Sequence, residues 1–322
     1  MRAIMSDSDE KIVIRRMETE DIPRVQEIGQ MAWSDIATRE IGRKVRYPLR
    51  PRRIIEAYMW KDPRGCLVVE KGGTVVGSAY AHVWGKLGWL GPFEVLPKNQ
   101  DQGLGKALLR ESESYLEGEG CDVMSLETMC SVAKNIHFYM KAGYRTIGAS
   151  IIMEKVVRFD PGRVRPLQPA PLEEVREAIP ELVTLSARVN ARLDYSREAE
   201  MAPLHGLGPV FLWRSRKRIK GVAVLHSIFP PEDSDHASLR LLIVDPKVNC
   251  QNEGFEALMR ACENWAYEKG RRRVFVRFPA DNSPLYREMA SIGYRIGGAN
   301  LRMCKGPSHV EKGRYHLAAW AG

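Results

Sequence analysis

Two short signatures occur twice in this chain at one fixed distance. Val95-Leu96-Pro97 ends an apolar stretch and Val244-Asp245-Pro246 ends another; Gly143-Tyr144-Arg145 opens a long segment and Gly293-Tyr294-Arg295 opens a second. An offset of about 150 residues repeats a whole domain, not a solenoid unit. The 322 residues therefore divide into two like halves, each large enough for its own core. Between them, residues 158–171 carry four prolines (161, 166, 169 and 171) among charged residues, a linker composition. The expected organisation is a domain over 1–158, a linker over 159–171 and a second domain over 172–322.

Apolar periodicity assigns the elements. Residues 12–16 alternate as a strand, and Glu18–Trp33 places Ile22, Val25, Ile28 and Met31 at helical spacing. A second helix runs over Pro51–Trp60. Cys66–Glu70, Thr74–Val83 and Leu87–Val95 read as three strands, the first two joined by Lys71-Gly72-Gly73. A helix from about Gly103 to Glu119, a strand over Asp122–Thr128, a helix through Tyr139 and a strand over Tyr144–Val157 complete the half. The second half repeats the order. It has a short strand Val164–Leu167, a helix Glu173–Arg188, strands Val210–Arg214, Arg218–Ile228 and Ala237–Val244, a helix Glu253–Lys269 and a strand Arg273–Phe278. Tyr315–Trp320 remains as an extra terminal strand. The fold class expected is α/β of the α+β kind, with a mixed, mostly antiparallel sheet flanked by helices in each half.

Residues 95–109 carry the chemistry. The apolar stretch Leu90–Val95 stops at Pro97, a polar loop with Gly103 and Gly105 follows, and the chain runs into a helix. Such a loop presents unpaired backbone N–H groups at the positive end of a helix dipole, which suits an anion. Glycine lets a phosphate approach the main chain closely. The spacing excludes two phosphate seats. Lys106 is followed by Ala107, so the hydroxyl that a Walker loop offers to magnesium is missing. The third glycine of the dinucleotide fingerprint is missing too. What stands is Gln100-x-x-Gly103-x-Gly105 directly after Val-x-Pro. Downstream, Lys134-Asn-Ile-His-Phe-Tyr-Met-Lys-Ala-Gly-Tyr-Arg145 places a tyrosine on a helix, a glycine suited to its C-terminal turn and an aromatic opening the next strand.

Loop, strand and tyrosine helix in this order resemble the GNAT superfamily of acyl-CoA-dependent N-acyltransferases, and the repeat makes the whole chain resemble a tandem GNAT protein. The resemblance implies acetyl-CoA as co-substrate, no metal, and an amine acceptor that attacks the thioester directly in a ternary complex. Amides of Gln100, Asp101, Gln102, Gly103, Leu104, Gly105 and Lys106 would hold the pyrophosphate. The strand Gly91–Val95 would pair with the peptide-like pantetheine arm. An N–H near Phe93 to Val95 would meet the oxyanion, a donor typically worth about 3 kcal/mol. Tyr139 matches the family tyrosine facing the thioester sulfur and is the general-acid candidate; its plainer reading is a core aromatic. Glu94 is the candidate base, with Glu127 in reserve, and its plainer reading is a strand glutamate facing solvent. His82 and His137 read as satisfied core histidines. Many family members carry an asparagine two turns before the tyrosine. Val132 stands there, and Asn135, one turn before Tyr139, is the nearby substitute.

The acceptor would enter beside Ala32–Trp60. Trp33, Tyr58 and Trp60, with Trp84 and Trp89, offer an aromatic wall, or plain core packing. The basic stretch Arg43–Arg53 favours an acidic or phosphate-bearing acceptor. A non-catalytic acyl-CoA-binding or sensing protein is the alternative function.

The second copy departs at the same positions. Asn252 stands where Gly103 does, Glu253 brings a negative charge to the phosphate position, and Met289 takes the register of Tyr139, with Tyr286 one turn earlier. This copy is expected to bind acyl-CoA weakly or not at all, and to serve structure or the acceptor site. The net charge of +9 gathers at Arg43–Arg53, Arg214–Lys220 and Arg271–Arg273. It suits a polyanionic cofactor. No recognition helix or RNA motif accompanies it, so nucleic acid is disfavoured as a partner, and Arg214–Lys220 falls in a hairpin turn. No apolar run spans a bilayer, so no membrane partner is expected. The acidic N-terminus is no signal peptide. Six scattered cysteines suggest reduced thiols and a cytoplasmic protein, with a homodimer left open.

Overall fold

The computed structural model describes residues 2–4, 11–162, 166–228, 234–307, 309 and 311–320. The first half runs β1 (Arg2–Ile4), β2 (Ile12–Arg16), α1 (Ile22–Ile41), α2 (Arg52–Lys61), β3 (Cys66–Lys71), β4 (Thr74–Trp84), β5 (Leu87–Val95), α3 (Leu104–Gly118), β6 (Val123–Met129), α4 (Ala133–Lys141) and β7 (Arg145–Val156). The second runs α5 (Leu172–Val189), α6 (Ser196–Leu204), β8 (Val210–Ser215), β9 (Arg218–His226), β10 (His236–Val244), α7 (Gln251–Glu268), β11 (Arg273–Pro279), α8 (Ser283–Ser291), β12 (Arg295–Lys305) and β13 (His316–Ala318). The short strand expected at 164–167 falls largely outside the described residues, and Pro166 and Leu167 are irregular. Helix α1 continues past Trp33 until Gly42 closes it at φ 73°, a left-handed C-terminal stop.

The thirteen strands of the described residues join one mixed sheet. Its order is β1-β2-β3-β4-β5-β6-β12-β7-β11-β10-β9-β8, with β13 also paired to β10. Among the described residues only β5/β6 and β10/β11 run parallel. The order shows an exchange. Strand β12 of the second half pairs with β6 of the first, Asn300 opposite Met129 and Lys305 opposite Met124. Strand β7 of the first half pairs with β11, Arg273 opposite Val156 and Pro279 opposite Ser150. The exchanged strands then pair with each other. A cut at residues 159–171 therefore divides the chain but not the sheet.

Packing follows the same plan. One apolar cluster fills the first half beneath α1, α2 and α3, and another fills the second around α7. A third mixes the halves: Trp84 and Trp89 meet Leu185, Tyr195, Leu241 and Trp320. The backbones approach closely at the β4–β5 turn. There Lys86 N donates to Arg192 O at 2.7 Å, and a Cβ on Gly85 would lie 2.4 Å from that same oxygen.

Buried charge fixes the junction more sharply. The Glu127 carboxylate on β6 accepts from Arg277 on β11 at 2.9 Å and from Arg302 on β12 at 3.1 Å. Burial alone would raise its pKa, but the two guanidiniums outweigh burial and hold it below the ordinary carboxylate value. Removing one partner of a buried pair strands the other charge. Glu127→Gln should therefore lower unfolding free energy by about 3 kcal/mol in urea titrations. Arg52→Gln, which breaks an exposed pair with Glu56, should cost under about 1 kcal/mol. Equal, small losses in both would mean that the junction does not rely on this carboxylate.

Candidate functional site

The site begins where β5 and β6 part. They pair from Leu87 opposite Val123 to Leu90 opposite Leu126, and no further. Proline at 92 removes a donor, and the β4–β5 ladder shifts register between Ala79 and Ala81. The edge Gly91–Val95, carrying Phe93, Glu94 and Val95, is thus left unpaired toward β6, an opening for a strand-like ligand.

One turn of 3-10 helix, Pro97–Asn99, leads from this edge to the glycine loop. Asp101 (φ 62°) and Gly103 (φ 79°) are left-handed, and Gly103 caps α3. A Cβ at Gly103 would meet nothing within 4 Å, so its need is backbone conformation and ligand approach. The Gln100 side chain ties the loop by donating to Val95 O at 3.0 Å. Lys134 of α4 reaches Gln100 at 3.1 Å and Asp101 at 2.9 Å. Lys71 donates to the Gln102 side chain at 2.9 Å. The first turn of α3 holds no acid, Leu104 is buried beneath it, and Lys106 is exposed at its rim. Orphan amides and two nearby lysines, one of them paired with Asp101, fit a diphosphate.

The edge opens onto a cavity of about 360 Å³, lined by Leu90–Glu94, and the glycine loop lies beyond that lining, past Val95. Phe93, Glu94, Asn135 and Tyr139 line it from the first half, and His226, Arg240, Arg277 and Asn300 from the second. Tyr139 is 9 % exposed and packs edge-on against Phe138 and Tyr144, ring centroids 5.1 and 5.8 Å away. Burial pushes its phenol pKa up, so it stays protonated through neutral pH. It is both a core aromatic and a cavity wall.

Glu94 does not face solvent. It is 3 % exposed and accepts from Arg50 at 2.6 and 3.2 Å, from Trp33 Nε1 at 2.8 Å and from Ser78 Oγ at 3.3 Å. Four donors fill the positions a carboxylate offers. Arg50, counted in sequence with an external basic stretch, is spent inside. Glu127 also lines the cavity with both oxygens held by arginine.

Of the aromatic wall, Trp33 and Tyr58 line the cavity. Trp84 and Trp89 are core residues instead, with Arg240 over their rings at 5.5 and 4.6 Å, and Trp60 packs under Arg197 at 4.7 Å. The expected core placing of His137 fails, since its side chain is exposed. His82 is a core residue, bridging Asp62 Oδ2 at 3.0 Å and Gly91 O at 3.2 Å. Sequence reading missed His226. It holds the place of His82 in the other half: Gly77 and Gly221 pair with Val95 and Val244, and each histidine lies five residues on. Counting from the two hairpins could have found it. Its Nε2 is buried without a hydrogen-bond partner.

The second half builds the same wedge and closes it. β10 pairs with β11 only over His236–Ser238. Beyond that, Leu241, Leu242 and Ile243 pair with Ala318, Leu317 and His316 of β13. These match Pro92, Phe93 and Glu94 of the open edge. Val244 N donates to Tyr315 O at 3.0 Å. The Tyr315 hydroxyl meets Asn252 at 2.7 Å and Glu288 at 2.7 Å, at the start of α7 where the first half has its glycine loop. Met289 is fully buried. Among the described residues no His/Cys/Asp/Glu group is arranged to hold a metal, and no helix is long and apolar enough to cross a membrane.

Residues 31–144 match the model of the acetyltransferase (GNAT) family. Among curated proteins, none matches the sequence. Solved structures match the whole chain. One described as a candidate acetyltransferase from Pyrococcus horikoshii is 16% identical with TM-score 0.69, over 96% of this chain and 95% of that one. A GCN5-related N-acetyltransferase from Sphaerobacter thermophilus is 13% identical with TM-score 0.57, over 93% and 97%. A tandem GNAT protein from the clavulanic acid biosynthesis pathway is 15% identical with TM-score 0.56, over 92% and 100%. Residues 31–144 are thus similar to the GNAT acetyltransferase family, and the chain as a whole shares the fold of these structures, the tandem GNAT protein among them.

Burial lowers the His226 pKa to about 4, below the ordinary 6.5. A depressed folded value means stability is fully present above the unfolded pKa and is lost as pH falls through the folded one. Thermal midpoints should therefore fall between about pH 6.5 and 4, and His226→Gln should flatten that slope. An unchanged slope would place the pH sensitivity elsewhere.

Proposed function

We propose that the chain is an acyl-CoA-dependent N-acyltransferase that moves acetyl from acetyl-CoA to a primary amine of a small molecule or peptide. The observation that carries the reading is the unpaired edge Gly91–Val95, which runs from the cavity that Tyr139 lines to the amide loop at Gly103, where Gln100 is tied to Val95 O at 3.0 Å. Amides of Gln100 to Lys106 hold the diphosphate, the β5 edge and Asn135 hold the pantetheine arm, and a β5 N–H near Phe93 to Val95 meets the oxyanion. The amine attacks the thioester carbonyl directly. The tetrahedral species expels the thiolate, and Tyr139 gives it a proton that solvent restores.

The amine must shed a proton. Glu94 would have to release Arg50 or Trp33 to take it, so we assign Glu94 to fixing those two cavity walls. Burial holds the remaining cavity imidazole, His226, to a pKa of about 4, too weak a base for an amine, so the proton of the tetrahedral adduct passes to solvent. The second half carries β13 in the place of a pantetheine arm, which supports one cofactor per chain.

Calorimetry should find one acetyl-CoA bound per chain, and none in Gly103→Glu. A second equivalent would contradict the closed wedge. Tyr139→Phe should lower kcat by about 100-fold while acetyl-CoA affinity changes less than about threefold. Unchanged turnover would remove the acid, and binding without turnover on any amine would leave a sensing protein.

A further inference from the structure

The cavity wall that faces an acceptor is richer in cation and donor than its carboxylates require. Arg50, Arg240 and Arg277 line it against Glu94 and Glu127, and the partner of Arg240, Glu198, lies behind the wall. Arg50 is spent on Glu94 through both of its terminal nitrogens. Arg277 is not. Its only hydrogen bond among the described residues is from Nη1 to Glu127, and its side chain is 22 % exposed. Four of its five N–H donors remain. Glu127 does not depend on Arg277 alone, since Arg302 also holds it.

Neutral donors line the same cavity. Thr128 follows Glu127 on β6, and Asn300 lies opposite Met129 on β12. Ser238 lies opposite Phe275, two residues before Arg277. All three line the cavity, and among the described residues none has a hydrogen-bond partner for its side chain. A guanidinium with donors to spare, sharing one cavity with two hydroxyls and an amide, suits the two or three oxygens of a compact anion.

We propose that the amine acceptor also bears an anionic group, a carboxylate or a phosphate, and that Arg277 with Thr128, Ser238 and Asn300 seats it. The inference rests on the acetyl-transfer reading and names the substrate class of that site. The anion would sit on the second-half side of the cavity, placing the amine toward Phe93 and Tyr139. Specificity would then come from the half that carries no open cofactor wedge.

Paired ligands test it by calorimetry at saturating coenzyme A: glycine against glycinamide, and phosphoethanolamine against ethanolamine. The anionic member of at least one pair should bind about tenfold or more tighter than its neutral twin, and the pair that responds tells carboxylate from phosphate. Arg277→Gln, in which Arg302 still holds Glu127, should erase the difference. Arg277→Lys should keep part of it, which guards against a folding artefact. Equal binding of the twins in both pairs, or no binding by either anionic member, overturns the proposal. Acetylation of the same amines is scored separately. An anion preference without turnover would retain the seat and discard the transferase reading, and turnover that favours the neutral twins would do the reverse.

Discussion

The carboxylate of Glu127 is the constraint around which this molecule is arranged. It belongs to the first half, yet its two cations come from β11 and β12 of the second. A charge inside a protein is tolerated only with partners in good geometry. Apolar burial at Trp84, Trp89 and Trp320 favours association of the halves but is non-directional. The ion knot selects the register. It does so because β12 lies against β6 and β7 against β11, so that Arg277 reaches across the exchanged pair to β6. The cavity floor is a consequence of that exchange, and neither half could form it alone.

The two copies share a scaffold and use its wedge in opposite ways. In the first, the β5 edge is open and the loop beyond it is glycine-rich. In the second, β13 supplies the ladder that the edge lacks, and Tyr315 stands over the start of α7. The substitutions at the second site match its own tail. Asn252 offers Tyr315 an acceptor that glycine could not, Phe255 stacks on the same ring at 4.4 Å, and fully buried Met289 fills space where a hydroxyl would need a partner. The tail also serves the first site. Ala318 O accepts from Arg302 at 2.6 Å, steadying the arginine that holds Glu127, and Ala319 lines the cavity.

Local order was legible from the sequence to within a residue or two for most strands, because period-two alternation and glycine turns are local signals. Pairing was not. Strands β7 and β12 each follow a Gly-Tyr-Arg signature and have the same pattern, so nothing in either says which half it will join. Helix α6 also escaped. It is short, ends with Pro203 inside it, and buries small residues such as Ala199 and Ala202 rather than a clear apolar stripe. Glu94 and Arg50 illustrate the limit for the site. Each looked exposed in one dimension, as a strand carboxylate and as part of a basic run, and only the meeting of α1, the segment before α2, and β5 cancels them. The glycine loop was legible because its function lies in backbone conformation, which three or four consecutive residues determine.

The bend of β5 is itself tied to the second half through buried polar groups. Arg240 Nε donates to Glu198 Oε1 at 2.9 Å, while Trp84 Nε1 donates to Glu198 Oε2 at 3.0 Å. Lys61, 1 % exposed at its side chain, stands between Glu198 at 3.8 Å and Asp62 at 3.0 Å. Asp62 meets His82, whose other nitrogen meets Gly91 O, at the point where β5 leaves β6. Each charge in this chain would be costly alone and is stable only because the next is present. A shift of α6 or β10 would therefore be felt at Gly91, the first residue of the open edge. The second half holds the geometry of the wedge in the first while its own wedge stays shut.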